Sequence, residues 1–173
     1  MEILKTATEW AKAEVFSSAF FIAFGVIFVL ASLGFWQLGK TDLARAYIIP
    51  TSVAGALLLI IGFGLVYANQ TRMIEFETAY HTDAIAFIHS EMARTQSTLK
   101  EYKTIVFTAI PLIILACALG IVFTSTPMWR ASLITSIAML VVILLIDGTA
   151  QARILAYSEQ LVLAERHEKL SNR

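Results

Sequence analysis

Positions 105–123 read IVFTAIPLIILACALGIVF, nineteen residues without a charge. A helix needs about 20 such residues to cross ~30 Å of hydrocarbon, so this stretch reads as a membrane span. Working outward, 17–38 and 47–67 are two more runs of spanning length, and 131–146 (ASLITSIAMLVVILLI) is shorter at 16 residues. That last run spans only if Trp129 or 148–150 is included, which puts Asp147 at the membrane edge rather than at its centre.

The whole chain fits this reading. Of 173 residues, 58% are hydrophobic and 15% charged, against about a quarter charged in soluble domains. The expected fold is an all-α integral membrane protein, with four transmembrane helices as two hairpins and with spans 2, 3 and 4 extending into cytoplasmic amphipathic helices. The first apolar run is too long for a signal-peptide core and reads as a retained anchor. A formal net charge of zero gives no case for nucleic acid. The lone Cys117 excludes an internal disulfide and a cysteine-built zinc site.

Lysine and arginine set the orientation. The short links at 38–46 and 124–130 hold Lys40, Arg45 and Arg130, and the other ten of the 13 basic residues lie in the N-terminus, the 69–104 segment and the tail. Basic residues concentrate on the cytoplasmic side, so both termini are expected there, in a bacterial inner membrane. Trp36, Tyr47 and Trp129 would mark the outer boundary, and Tyr67 and Tyr102 the inner one. The expected layout is therefore a cytoplasmic amphipathic segment over 1–16, a transmembrane hairpin over 17–68, a cytoplasmic helical segment over 69–104, a second hairpin over 105–149 and a cytoplasmic helix over 150–173. Thr126-Pro127 and Thr41-Asp42 look like helix starts. Pro50 and Pro111 fall inside spans, where each should kink its helix or loosen a turn.

The 69–104 segment contains neither Pro nor Gly. Ile85, Ile88, Met92, Leu99 and Tyr102, with Thr95 between, follow a 3-4 spacing that makes a helical stripe. Thr82 is the expected cap, and one helix is expected to run from Asp83 to Phe123. In the tail, Ile154, Tyr157, Leu161 and Ala164 repeat the theme. The stripes either pack on one another or dock a second subunit or membrane-protein partner. A further pattern links the halves: Gln70-Thr71-Arg72 and Gln151-Ala152-Arg153 each precede two apolar residues, one free position and an aromatic. An internal duplication gives this pattern, and so does the composition of helix ends alone.

Three groups of residues are candidates for chemistry. Asp147, Arg72, Arg153, Gln70, Gln151 and Asn69 should form a polar collar at the membrane edge, either as ion pairs and hydrated helix ends or as a proton- or cation-handling site. Glu77 and His81 share a helical face, and with His89 they are the residues a metal site would use, although paired metal motifs are lacking. Small residues (Ala19, Ala23, Gly25, Gly55, Gly62, Ala116 and Gly120) mark faces where helices approach closely. Neither a nucleophile motif nor a phosphate loop occurs, and no cofactor is implied. The reading is a non-enzymatic membrane protein whose cytoplasmic extension mediates self-association or partner binding, as an accessory, regulatory or protective subunit. The alternatives are an oligomeric channel or small-solute transporter gated by Asp147, and a membrane enzyme with a His/carboxylate metal site.

Overall fold

The computed structural model describes residues 2–171, with side chains as far as His167, and positions 172 and 173 of the tail lie outside it. Four long rods make up the fold. The first is α1 (Glu2–Leu38), the second is α2 (Asp42–Ala46) followed by α3 (Ile48–Thr82). The third is α4 (Ala84–Glu101), a π-helical segment (Tyr102–Ala109) and α5 (Ile110–Phe123), and the fourth is α6 (Pro127–Ser171). Each rod is long and apolar enough to cross a membrane.

The turns between rods follow from local chemistry. The Thr41 hydroxyl accepts a hydrogen bond from the Ala44 backbone N–H at 3.1 Å and caps α2. At the start of α4 the cap is Asp83, whose carboxylate accepts from Ile85 and Ala86 at 3.0 and 2.9 Å. Thr82, the expected cap, instead turns its hydroxyl back to the Thr78 carbonyl. One carboxylate oxygen, Oδ1, takes both N–H groups of the first turn, and aspartate is the better N-cap of the two residue types. Pro50 lies in the first turn of α3, where a missing N–H costs no helical bond.

Pro111 acts differently. It has no N–H for the carbonyl one turn back, and its ring crowds that carbonyl. The segment just before it widens into a π-helix, and the Thr108 hydroxyl reaches five residues back to Lys103 O at 2.8 Å. The helix expected from Asp83 to Phe123 is thus interrupted in its middle.

Two apolar cores hold the rods together. One, at the end carrying both termini, joins Ile3, Ala7, Trp10 and Ala11 of α1, Phe76 of α3, Phe87 and Ile88 of α4, and Ile154, Tyr157 and Leu161 of α6. The other, midway along, joins Phe21, Leu58, Val142 and Ile146. The tightest seam runs between α1 and α3. A Cβ on Gly55 would come within 2.9 Å of the Gly25 carbonyl and the Val29 amide, and one on Gly62 within 2.6 Å of Ile22. Gly55 and Gly62 share one side of the helix, as their seven-residue spacing predicts, whereas Ala19 and Ala23 face outward. By contrast, among the described residues α5 packs on α6 and on the adjoining π segment alone.

Candidate functional site

The terminal end of the bundle buries a polar network that spans α1, α4 and α6. Glu91 and Arg94 stand one turn apart on α4, and Arg94 donates to both Glu91 carboxylate oxygens, at 2.9 and 2.5 Å. Tyr157 Oη donates to Glu91 Oε2 at 2.9 Å. The Trp10 ring stacks on Tyr157 with centroids 5.2 Å apart and planes 10° from parallel, and the Arg94 guanidinium lies 4.4 Å from the Trp10 ring centre. Burial opposes the charge on Arg94, but the Glu91 bonds outweigh it, and its pKa ends above the ordinary value. Burial, helped by the Glu91 charge and hydrogen bond, raises the Tyr157 phenol, which therefore stays protonated and donates.

A second layer lies toward the apolar rods. Arg153 Nε donates to Glu14 Oε1 at 3.0 Å. Burial raises the Glu14 pKa, and the Arg153 hydrogen bond and charge only partly oppose this. Asn69 is buried, donates to Leu65 O at 2.9 Å and accepts from Arg72 Nη1 at 3.0 Å. Burial lowers the Arg72 pKa, with the nearby Arg94 charge adding to it. Two buried donor atoms, Trp10 Nε1 and Arg153 Nη2, have no hydrogen-bond partner among the described residues.

The expected collar therefore forms in part and with a different partner. Arg153 pairs with Glu14, on a helix 139 residues away in sequence, and not with Asp147. Gln151 is half-buried and Gln70 exposed. Asp147 is half-buried and makes no ion pair among the described residues. It faces a cleft of about 330 Å³ whose walls include Phe21 of α1, Leu65 of α3, Val106 of the π segment and Ile146 of α6, with Glu14 at the same end. The cleft is a wedge bounded by α1, α3 and the third rod, with α6 along its floor.

The stripe on α4 lies within the chain's own core. Ile88 is buried, and Met92, Leu99 and Tyr102 pack against the terminal core, while Ile85 is exposed. Phe87 takes the place expected of Ile85, since the buried face of α4 runs through 87, 88, 91 and 95. The metal candidates do not converge. Glu77 and His81 are exposed, and His89 Nε2 sits 3.2 Å from Glu165 Oε1. No group of three His, Cys, Asp or Glu side chains among the described residues is arranged to hold an ion. The hydroxyls mostly serve the backbone: Ser18 bonds to Glu14 O, Thr51 to Tyr47 O, and Ser32 crosses to Ile48 O at 2.7 Å.

Sequence reasoning missed the part played by the N-terminal segment. Ile3, Ala7, Trp10 and Glu14 recur at four, three and four residues, a helical stripe that carries Trp10 onto Tyr157 and Glu14 onto Arg153. That spacing was the available signal. Compared with protein-family models, curated proteins and solved structures, the chain matches none of them.

Proposed function

We propose that this chain is a non-enzymatic inner-membrane protein of four spans, with both termini in the cytoplasm, and that it works by associating with a second copy or with another membrane protein. The observation that carries the reading is the isolation of α5. Three rods are drawn together by glycine contacts and by the mid-bundle core, but α5 leans on α6 alone. Its outward surface carries Leu112, Leu115 and Leu119, all more than half exposed. In lipid, helix association relies on close packing rather than on exclusion of water, and a span with one neighbour has room for another. The α4 stripe is engaged inside the chain, so the docking surface moves from the cytoplasmic extension to the third span.

Single cysteines at 112, 115 and 119, introduced in turn into a Cys117→Ser background, test this in native membranes. These three positions share one helical face and should cross-link, to a second copy or to a single heavier species, while a cysteine at Ile114, on the half-buried side of the helix, stays monomeric. If every position stays monomeric, and gentle extraction yields only the 19.1 kDa chain, the association reading fails.

A second reading draws support from Asp147. A half-buried carboxylate with no ion-pair partner, beside a cleft at the expected inner edge of the spans, suits a cation- or proton-handling channel or transporter. Asp147→Asn should then abolish flux in proteoliposomes. Flux that survives the change, or its absence from the wild-type protein, removes this reading.

A further inference from the structure

The cleft beside Asp147 combines an apolar body with an unbalanced charge. Glu14 is neutralised across the bundle by Arg153, at 3.0 Å. Asp147, on the next turns of α6, has no such cation among the described residues. Two carboxylates without an ion pair among the described residues, the exposed Glu101 and the half-buried Asp147, thus line a wedge whose apolar walls include Phe21, Leu65, Val106 and Ile146, and Asp147 is the more enclosed of the two. Ligand sites are built in this way, as an apolar cavity with a few polar groups that fix orientation.

We propose that this wedge binds a compact lipophilic cation: a protonated amine seated against Asp147, with its apolar body between α3 and the π segment. Charge selects the head. A buried carboxylate without a partner gains most from a positive group brought to it in a water-poor site. Volume selects the body. At about 330 Å³ the cleft lies at the small end of ligand cavities, which run from roughly 300 to 1,000 Å³, so it suits a single short chain or a small ring system and not a two-chain lipid. Access follows from exposure, because Ile61 of α3 and Ile105 of the π segment, both on the cleft wall, reach the surface of the bundle. The proposal goes beyond association through α5 and holds whether or not the chain assembles. Binding can also be detected without flux, which separates it from the transport reading.

The test uses the full-length protein in phosphatidylcholine nanodiscs, titrated calorimetrically with octylamine, octanol and octanoate, with empty nanodiscs subtracted. Octylamine should bind saturably at one per chain, and the alcohol and the acid should only partition. Asp147→Asn should weaken octylamine binding about tenfold or more, as loss of a desolvated charge partner does, and Asp147→Glu should largely restore it. Ile61→Trp, at an exposed position on the cleft wall, should block the site sterically with the carboxylate in place. Equal binding of octanol, unsaturable uptake of octylamine, or full affinity in Asp147→Asn would overturn the proposal. Should Asp147→Asn lower the melting temperature too far to be read, the Ile61→Trp titration decides, since unchanged affinity there sinks the site.

Discussion

Glu91 is the most heavily engaged side chain of the bundle. It accepts from Arg94 through both oxygens and from Tyr157, all within reach of the Trp10 ring. Removing its charge leaves a buried guanidinium uncompensated, which costs about 3 kcal/mol. Glu91→Gln should therefore lower the melting temperature in mild detergent, and Tyr157→Phe should do so by less, since it removes one neutral donor worth about 1 kcal/mol. Glu14 gives a pH effect of definite sign. An unfolded chain releases this proton near 4.5, whereas the folded chain holds it to higher pH because the carboxyl is buried. Between the two values folding takes up a proton, so rising pH opposes folding there. The melting temperature should fall as pH rises from the ordinary carboxylate range toward neutrality, and Glu14→Gln should flatten that slope. An equal slope in the variant assigns the effect elsewhere. These residues also mark the limit of sequence reading. Arg153 was recognisable as a collar residue, but its partner is 139 positions away, and nothing local distinguishes Glu14 from Asp147 as the acceptor.

At the scale of elements, the apolar rods were legible because twenty uncharged residues have few other destinations. Their joints were less so, because caps and turns depend on single hydrogen bonds. Asp83 rather than Thr82 caps α4, and tertiary packing buries Phe87 and leaves Ile85 outside. The π segment could be located from Pro111, although its length depends on neighbouring groups such as Thr108 accepting the wider turn. Pro111→Ala should let α-helical bonding return across 102–109 and rotate α4 against α5, so that labelling of a cysteine placed at Ile105 changes. Unaltered labelling means that packing on α6 sets the π-helix and the proline does not. The α1/α3 seam gives a second prediction at this scale. Gly62→Leu forces a side chain into Ile22 and its backbone, and overpacking of this kind costs about 1–3 kcal/mol. The change should reduce thermal stability in detergent, whereas the same substitution at Gly64, which has open space around it, should be nearly silent.

For the whole molecule, the termini, the turn at Asp83 and the buried polar network share one end, and the links at 39–41 and 124–126 lie at the other. With nine of the 12 basic residues within the described 2–171 toward the first end, reporters at 40 and 126 should be periplasmic and one at 85 cytoplasmic. A reporter at 85 on the periplasmic side would overturn the orientation, and reporters at 40 and 126 on opposite sides would overturn the pairing of spans. The resemblance between 70–76 and 151–157 does not extend to packing. Arg72 bonds to its own helix neighbour Asn69, whereas Arg153 reaches across to α1, and the first pair of rods is sealed by glycines while α5 and α6 meet at Gly120 alone among the glycines.

The glycine seam also bears on biosynthesis. It joins two rods that are synthesised ahead of the other two, and all its parts lie before Leu65. The growing chain can therefore complete its closest internal fit while the later rods are still being made, and α5, which leans on α6, is added to a platform already in place.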